Sequence, residues 1–188
     1  TYFPNSNPTS ATTTDWQPVQ LNGNSTTQFE LKNLQPATLY KVNLEGRFSR
    51  HAPTGSVIGS FSTAPAADDP ATVSFAVVTG QDYPRRDDRE NGHQVYPQIT
   101  KLGIDFFVHT GDIEYYDKPE PFADNIELAR FKWNRLYAMP FQREFQNHTA
   151  SYFMKDDHDT LKNDCWPGQT YGDLTWEDGL KLFPEQMP

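Results

Sequence analysis

The sequence is poor in three features that would narrow its function at once: paired cysteines, long apolar runs and basic residues. Cys165 is the single cysteine, which excludes a disulfide within the chain. No apolar run reaches the about 18 residues of a transmembrane helix, and no signal-peptide pattern begins the chain. A net charge of −9 argues against nucleic-acid binding. Disulfide-stapled, membrane-spanning and nucleic-acid-binding classes are therefore disfavoured.

The sequence does contain many aromatic residues and a strongly uneven distribution of charge. Aromatic residues make up 14% of the 188 residues, which favours a folded chain of one domain or two small ones. Residues 1–67 carry four basic and three acidic residues, whereas residues 68–188 carry twelve and twenty-two. A phosphate-directed site in the acidic part would need metal ions to reverse the local field.

The N-terminal part of the chain predicts a β-sheet module. Turn residues separate stretches of alternating apolar and polar residues, which is typical of an antiparallel β-sandwich. These stretches are Gln28–Leu31, Leu39–Leu44 and Ser56–Phe61. The segment from Leu34 to Tyr40 resembles the corner of a fibronectin type III module, where a tyrosine hydroxyl bonds to the backbone. We therefore expect a fibronectin III-like module over residues 1–66 and a linker over residues 65–70.

The rest of the chain, residues 71–188, predicts an α/β domain. Three strands are predicted, at Val73–Val78, Ile104–His109 and Tyr152–Met154. A helix near Val95–Leu102 separates the first two strands, and a helix over residues 124–138, closed by Pro140 and followed by helical turns at Phe141–Gln146, separates the second and third. A last helix runs from the capping box at Thr175–Asp178 to before Pro184. The first strand is apolar at nearly every position, as expected of a strand covered on both faces. This alternation predicts parallel strands with right-handed crossovers.

Three polar clusters directly follow the three predicted parallel strands. They are Thr79–Asp82, Gly111–Tyr116 and Asp156–Asp159. In open α/β sheets ligands bind at the carboxyl ends of the strands, so we expect these clusters to meet at one edge of the sheet. The alternative is that each cluster is an ordinary solvated turn.

The residue types in these clusters suit metal ions. The Asp112 carboxylate has two oxygens and can bridge two cations, and the phenol of Tyr115 is a hard ligand for a trivalent metal. Among the three carboxylates and one imidazole of Asp156–Asp159, His158 could bind metal or donate a proton to a leaving group. Asp82 could complete the cluster. Without metal, Asp112 would cap a turn and Tyr115 would simply pack.

These motifs resemble one family over essentially the whole chain. The turn Gly111-Asp112-x-x-Tyr115, the Asp-Asp-His-Asp cluster and the fibronectin-like module are similar to phosphodiesterase/alkaline phosphatase D, a calcineurin-like metallophosphoesterase family. The resemblance implies that Asp112 bridges two metals, that Tyr115 binds trivalent iron and that Asp157 binds the second metal, calcium. It further implies that His158 assists the leaving group and that Asp156 could join the second site.

The sequence departs from the family in two respects. The family has a cysteine metal ligand after its first strand, where this chain has Gly80, and Asp82 may substitute for it. The later metal ligands of the family lie in motifs that do not occur before Pro188. We therefore expect a fragment that builds the first half of an αββα sandwich.

The sequence thus predicts a metal-dependent phosphoric ester hydrolase. The resemblance implies two metal ions, attack by a metal-bound hydroxide, a small phosphate-ester substrate and a periplasmic or extracellular location. The substrate, the identity of the metals and the oligomeric state stay open. One alternative is a non-catalytic binding or adhesion protein with a degenerate phosphoesterase-like domain. Another is a purely structural calcium site at the acidic turns.

Overall fold

Two three-stranded sheets and four α-helices organise the part of the chain that the computed structural model describes, residues 1–20 and 24–187. The strands are β1 (Tyr2–Pro4), β2 (Leu39–Arg47), β3 (Thr54–Ser62), β4 (Phe75–Val78), β5 (Phe106–His109), β6 (Ala150–Phe153), β7 (Thr170–Tyr171) and β8 (Leu174–Thr175). The helices are α1 (Val95–Leu102), α2 (Ile126–Tyr137), α3 (Pro140–His148) and α4 (Trp176–Gln186). The pair β7–β8 forms a small antiparallel ribbon before α4.

The N-terminal sheet is antiparallel, in the order β1-β2-β3. Nine consecutive residue pairs join β2 to β3, so backbone hydrogen bonds carry most of its structure. Tyr40 stacks on Phe61 with ring centroids 5.5 Å apart, and its hydroxyl accepts a hydrogen bond from the backbone N–H of Gln35 at 2.9 Å. This bond is the one that the resemblance to a tyrosine corner predicts.

The predicted strand at Gln28–Leu31 is wrong, and the described N-terminal residues form one sheet and not the two of a sandwich. The segment bonds through side chains instead of a ladder. The side-chain amide of Gln28 donates to the carbonyl of Pro184 at 3.3 Å, and the Tyr2 hydroxyl donates to the carbonyl of Lys32 at 3.2 Å. Four alternating residues are too few to specify a strand against such contacts.

The second sheet is parallel, in the order β4-β5-β6, which confirms the predicted α/β arrangement. One face packs against α1 and α3 through a core of Tyr96, Ile99, Phe107 and Phe145. The prediction that the first strand is covered on both faces is wrong for the described residues. The other face is open, and Phe75 is more than half exposed.

A second hydrophobic core lies beneath the turns that follow β5 and β6. It joins α2 and α4 to those turns through Ile113, Tyr116, Trp133, Leu136, Leu161 and Leu182. The indole N–H of Trp133 donates to the Tyr116 hydroxyl at 2.6 Å. The polar turns therefore rest on a packed apolar base, which limits their freedom to move.

The helix ends follow their capping signals, with one exception. Asn125 caps α2, Pro140 begins α3, and Thr175 and Asp178 form the predicted capping box of α4. The predicted end of α4 before Pro184 is wrong, because the helix runs to Gln186. A bidentate ion pair from Arg130 to Glu185 holds this last turn. Among the described residues no helix has the length and apolar character needed to cross a membrane.

Candidate metal centre

The turns after β4, β5 and β6 meet at the carboxyl edge of the parallel sheet. The backbone N–H of Gly80 donates to the carbonyl of Gly111 at 3.1 Å, and the N–H of Gln81 donates to the carbonyl of Asp112 at 2.6 Å. On the other side, the N–H of Met154 donates to the carbonyl of His109 at 2.8 Å. Parallel pairing thus continues beyond the strands and brings the three polar clusters together, as expected from the strand order.

Gly111 allows the closest approach between these turns. Its φ of 109° lies in a region that side chains avoid, and a Cβ there would lie 2.7 Å from the Cβ of Asp156. The next residue, Asp112, has a φ of 56°, which is uncommon outside glycine. This turn places the Asp112 carboxylate over the turn that follows β6.

Asp112, Asp157 and His158 form the core of the site. One potential ligand atom from each lies within 4.8 Å of the others. The hydroxyl of Tyr115 donates to Asp112 Oδ2 at 3.0 Å, whereas Asp112 Oδ1 is buried and has no hydrogen-bond partner. A buried carboxylate oxygen without a donor is unfavourable unless a cation satisfies it. The donor set of carboxylate, phenol and imidazole therefore fits a bound metal ion.

The electrostatics of Asp112 agree with this reading. Burial raises the pKa of the Asp112 carboxyl above its ordinary value, and the nearby carboxylates of Asp156 and Asp157 raise it further. The hydrogen bond from Tyr115 and the charge of His158 oppose that rise. A metal ion would favour the ionised carboxylate and so relieve the repulsion among these groups.

A carboxylate that the sequence reasoning missed orients His158. His158 Nδ1 lies 2.7 Å from Asp117 Oδ1, and Asp117 Oδ2 accepts the backbone N–H of Asn163 at 2.9 Å. The imidazole also packs on the Tyr115 ring, with centroids 4.3 Å apart. This pairing leaves Nε2 as the nitrogen available to a ligand or substrate. The available signal was the position of Asp117, two residues after Tyr115.

The structure places Asp82 and Asp156 beside this group but outside it. Asp82 Oδ2 lies 2.9 Å from the ammonium of Lys118 and 3.6 Å from Arg85 Nε, whereas Asp82 Oδ1 is buried without a hydrogen-bond partner. Asp156 Oδ1 accepts the backbone N–H of Asp157 at 2.9 Å. Lys118 therefore partly neutralises Asp82, and the metal roles of Asp82 and Asp156 stay predictions.

Gly80 faces the same centre from the turn after β4. A Cβ at this position would lie 3.8 Å from the Tyr115 hydroxyl oxygen. A side chain at residue 80 would therefore approach the phenol, which agrees with the expected place of the family's cysteine. The backbone φ of Gly80 is 69°, so another residue there would adopt a conformation that side chains rarely take.

A buried ion pair supports the Tyr115 turn from below. Lys132 and Glu114 have side chains only 1% exposed, with Lys132 Nζ 3.8 Å from Glu114 Oε1. Lys132 Nζ also donates to the carbonyls of Tyr115 and Lys118, the latter at 2.9 Å. Burial raises the pKa of Glu114 to about 7 against the opposing charge of Lys132. The sequence did not indicate this pair, because a lysine on an amphipathic helix is usually exposed.

The chain shares its fold with two phosphatases of known structure. It is similar to the structure of PhoD, with a TM-score of 0.62 and 19% identity over 82% of this chain. It is also similar to purple acid phosphatase PPD1 from yellow lupin (Lupinus luteus) seeds, with a TM-score of 0.55 and 17% identity over 80%. No protein-family model and no curated protein sequence matches the chain.

The two comparisons confirm the predicted family resemblance at the level of the fold. The chain spans 32% of the PhoD chain and 26% of the lupin enzyme chain. At these identities the likeness establishes the arrangement of strands and helices and does not by itself assign a role to any residue. The assignment of roles depends on the geometry of the strand-end turns.

Proposed function

We propose that this protein is a metal-dependent phosphoric ester hydrolase whose metal ions bind at the three strand-end turns. One observation carries the proposal: ligand atoms of Asp112, Asp157 and His158 lie within 4.8 Å of one another at the ligand-binding edge of the sheet, and Asp112 also has a buried carboxylate oxygen without a hydrogen-bond partner. The fold shared with two phosphatases supports this reading. The substrate class is a small phosphate ester, either a monoester or a diester.

Five oxygen-bearing side chains would hold the two metal ions. Asp112 would bridge them, Tyr115 and Asp157 would bind one each, and Asp82 and Asp156 would complete the two sites. The family resemblance implies iron and calcium as the metals. When bound, the two ions supply the Lewis acidity that activates a water molecule and neutralises charge on the phosphate.

His158 would act on the leaving group. The Asp117 carboxylate, 2.7 Å from Nδ1, fixes the orientation of the ring. The charged ring then donates its Nε2 proton to the oxygen of the departing alcohol and becomes neutral. The contact of the ring with Tyr115 keeps Nε2 close to the carboxylates of Asp112 and Asp157.

Hydrolysis of p-nitrophenyl phosphate and bis(p-nitrophenyl) phosphate by the intact, Mn²⁺-loaded protein tests the proposal. Because Asp112 is the central ligand, Asp112→Asn should lower kcat/KM by roughly 100-fold or more. Asp105→Asn is the matched control, since Asp105 lies before β5 and its Oδ2 accepts a backbone N–H from Ser74 at 2.7 Å. Equal turnover of both esters by wild type and Asp112→Asn would reject the proposal.

A second candidate function is metal or ligand binding without catalysis. It is favoured by Gly80, which provides no ligand, and by Lys118, whose ammonium already pairs with Asp82. This candidate predicts that the protein binds Mn²⁺ but hydrolyses neither ester. A purely structural calcium site predicts calcium-dependent stability, again without hydrolysis.

The other expectations remain proposals. They are a fibronectin III-like module over residues 1–66, a catalytic region over residues 71–188 and a periplasmic or extracellular location. The tyrosine-corner bond of Tyr40 supports the first of these.

A further inference from the structure

We propose that Asp159 is a positioning residue of the metal centre, whose carboxylate ties the turn after β5 to the turn after β6. Through this link it would fix the distance between Asp112 and Asp157. The inference rests on the proposed function, since it concerns how the same site is held in shape. Asp159 itself would bind neither metal nor substrate.

The hydrogen bonds of Asp159 reach both turns. Asp159 Oδ1 accepts the backbone N–H groups of Ile113 and Glu114, each at 2.8 Å, and Oδ2 accepts the backbone N–H of Asp156 at 3.0 Å. The first two N–H groups follow Asp112, and the third precedes Asp157. The side chain is 0% exposed, so solvent does not compete for these bonds.

The chemistry of this junction requires a carboxylate. Three backbone donors point at two oxygens, and an ionised carboxylate offers acceptor sites on both while donating nothing. An asparagine of the same shape would turn its NH₂ group toward at least one of these N–H groups in either amide orientation. A buried donor that faces another donor is costly, so the turns would shift apart.

Tight packing on both sides makes the site sensitive to such a shift. On the side of the turn after β5, Gly111 lies so close to Asp156 that a Cβ added to the glycine would lie 2.9 Å from the Asp156 backbone nitrogen. On the side of α4, Gly179 lies so close to Thr160 that a Cβ added to the glycine would overlap the Thr160 carbonyl oxygen. The turn after β6 is thus confined between the Asp112 turn and α4, and Asp159 accepts N–H groups from both turns.

Mn²⁺ affinity provides a measurement beyond activity. Titration of the intact protein with Mn²⁺, followed by the EPR signal of the free ion, should show 10–100-fold weaker binding for Asp159→Asn, about the range for a residue that orients ligands. Asp105→Asn makes the same chemical change at the opposite end of the strands and should bind Mn²⁺ as the wild type does. Unchanged affinity in a folded Asp159→Asn protein would overturn the inference.

A second measurement serves if Asp159→Asn does not fold. In the wild type, the amide protons of Ile113, Glu114 and Asp156 should exchange with solvent as one protected set, and Mn²⁺ should slow all three. Exchange of any of these amides at the rate of an unbonded one would refute the role of Asp159. A wild type that binds no Mn²⁺ rejects the proposed function and this inference together, whereas equal Mn²⁺ binding by wild type and variant rejects this inference alone.

Discussion

The N-terminal sheet and the strand-end turns of the parallel sheet are built in opposite ways. The β2–β3 ladder pairs nine residues, yet side chains on it such as Leu44, Val57 and Ile58 are at least half exposed. The strand-end turns have irregular backbone and bury the polar side chains of Glu114, His158 and Asp159, and Lys132 of α2 is buried against Glu114. Backbone pairing holds the first region, whereas specific side-chain contacts hold the second.

The polar side chains that are buried lie mainly at the strand-end turns. Buried polar groups and a left-handed aspartate cost free energy, so a fold keeps them where the arrangement itself is used. The strand-end turns should therefore respond strongly to single substitutions, and the N-terminal sheet should respond weakly. Each of the following substitutions tests one side of that contrast.

The largest effect on stability is expected for Lys132→Met. The change leaves the buried Glu114 with Arg135 as its remaining cation, 3.8 Å from Oε1, and removes the donor to the carbonyls of Tyr115 and Lys118. Loss of one partner of a buried ion pair typically costs roughly 3–5 kcal/mol in the free energy of unfolding, measured by urea denaturation. The double variant Glu114→Gln/Lys132→Met should recover part of this loss. A cost below about 1 kcal/mol would show that the pair is not a support.

Gly111→Ala should come next, and Gly103 offers a matched control. Both glycines have positive φ, but a Cβ at Gly103 meets nothing within 4 Å, whereas one at Gly111 strikes Asp156. Gly103→Ala should therefore cost only the backbone term, about 1 kcal/mol. Gly111→Ala should cost roughly 1–3 kcal/mol more and weaken Mn²⁺ binding. Equal losses of unfolding free energy for the two variants would contradict the close contact between the turns.

Asp117→Asn separates the leaving-group role of His158 from metal binding. The uncharged amide holds the His158 ring less firmly than the carboxylate does, so kcat should fall about 10–100-fold while Mn²⁺ affinity stays near that of the wild type. A kcat equal to that of the wild type would exclude a role for Asp117.

Tyr40→Phe should have a smaller effect than the three substitutions above. It removes the hydrogen bond from the Gln35 N–H but keeps the ring that stacks on Phe61. The expected cost is about 1 kcal/mol in unfolding free energy, with no change in Mn²⁺ binding. A loss of metal binding in Tyr40→Phe would link the two regions and weaken the contrast.

Ile58→Thr, at a residue that is 65% exposed, should change the free energy of unfolding by about 0.5 kcal/mol or less.

The sequence predicted the parallel sheet because its signals are local. Three short apolar runs, each followed by a polar cluster, were enough to infer the strands and to expect their ends to meet. The capping box at Thr175 was read correctly for the same reason. The strand boundaries moved by one or two residues, which periodicity does not fix.

The supports of the site could not be inferred in this way. In α2 the apolar side chain of Phe131 is 49% exposed, whereas Lys132 is buried. Lys132 is buried because its ammonium bonds to carbonyls more than ten residues away, and Asp159 bonds to N–H groups 45 and 46 residues away. Such partners depend on how the strands are ordered in space, which no local pattern records.

The most direct test of the account is the position of bound metal. Crystals of the intact protein grown with Mn²⁺, with diffraction recorded at the manganese absorption edge, give an anomalous difference map that locates the ion without assumptions about the ligands. The account predicts a peak in contact with the carboxylates of Asp112 and Asp157, at the edge where the three turns meet. Bound Mn²⁺ that lies elsewhere, with no peak at this edge, would contradict it.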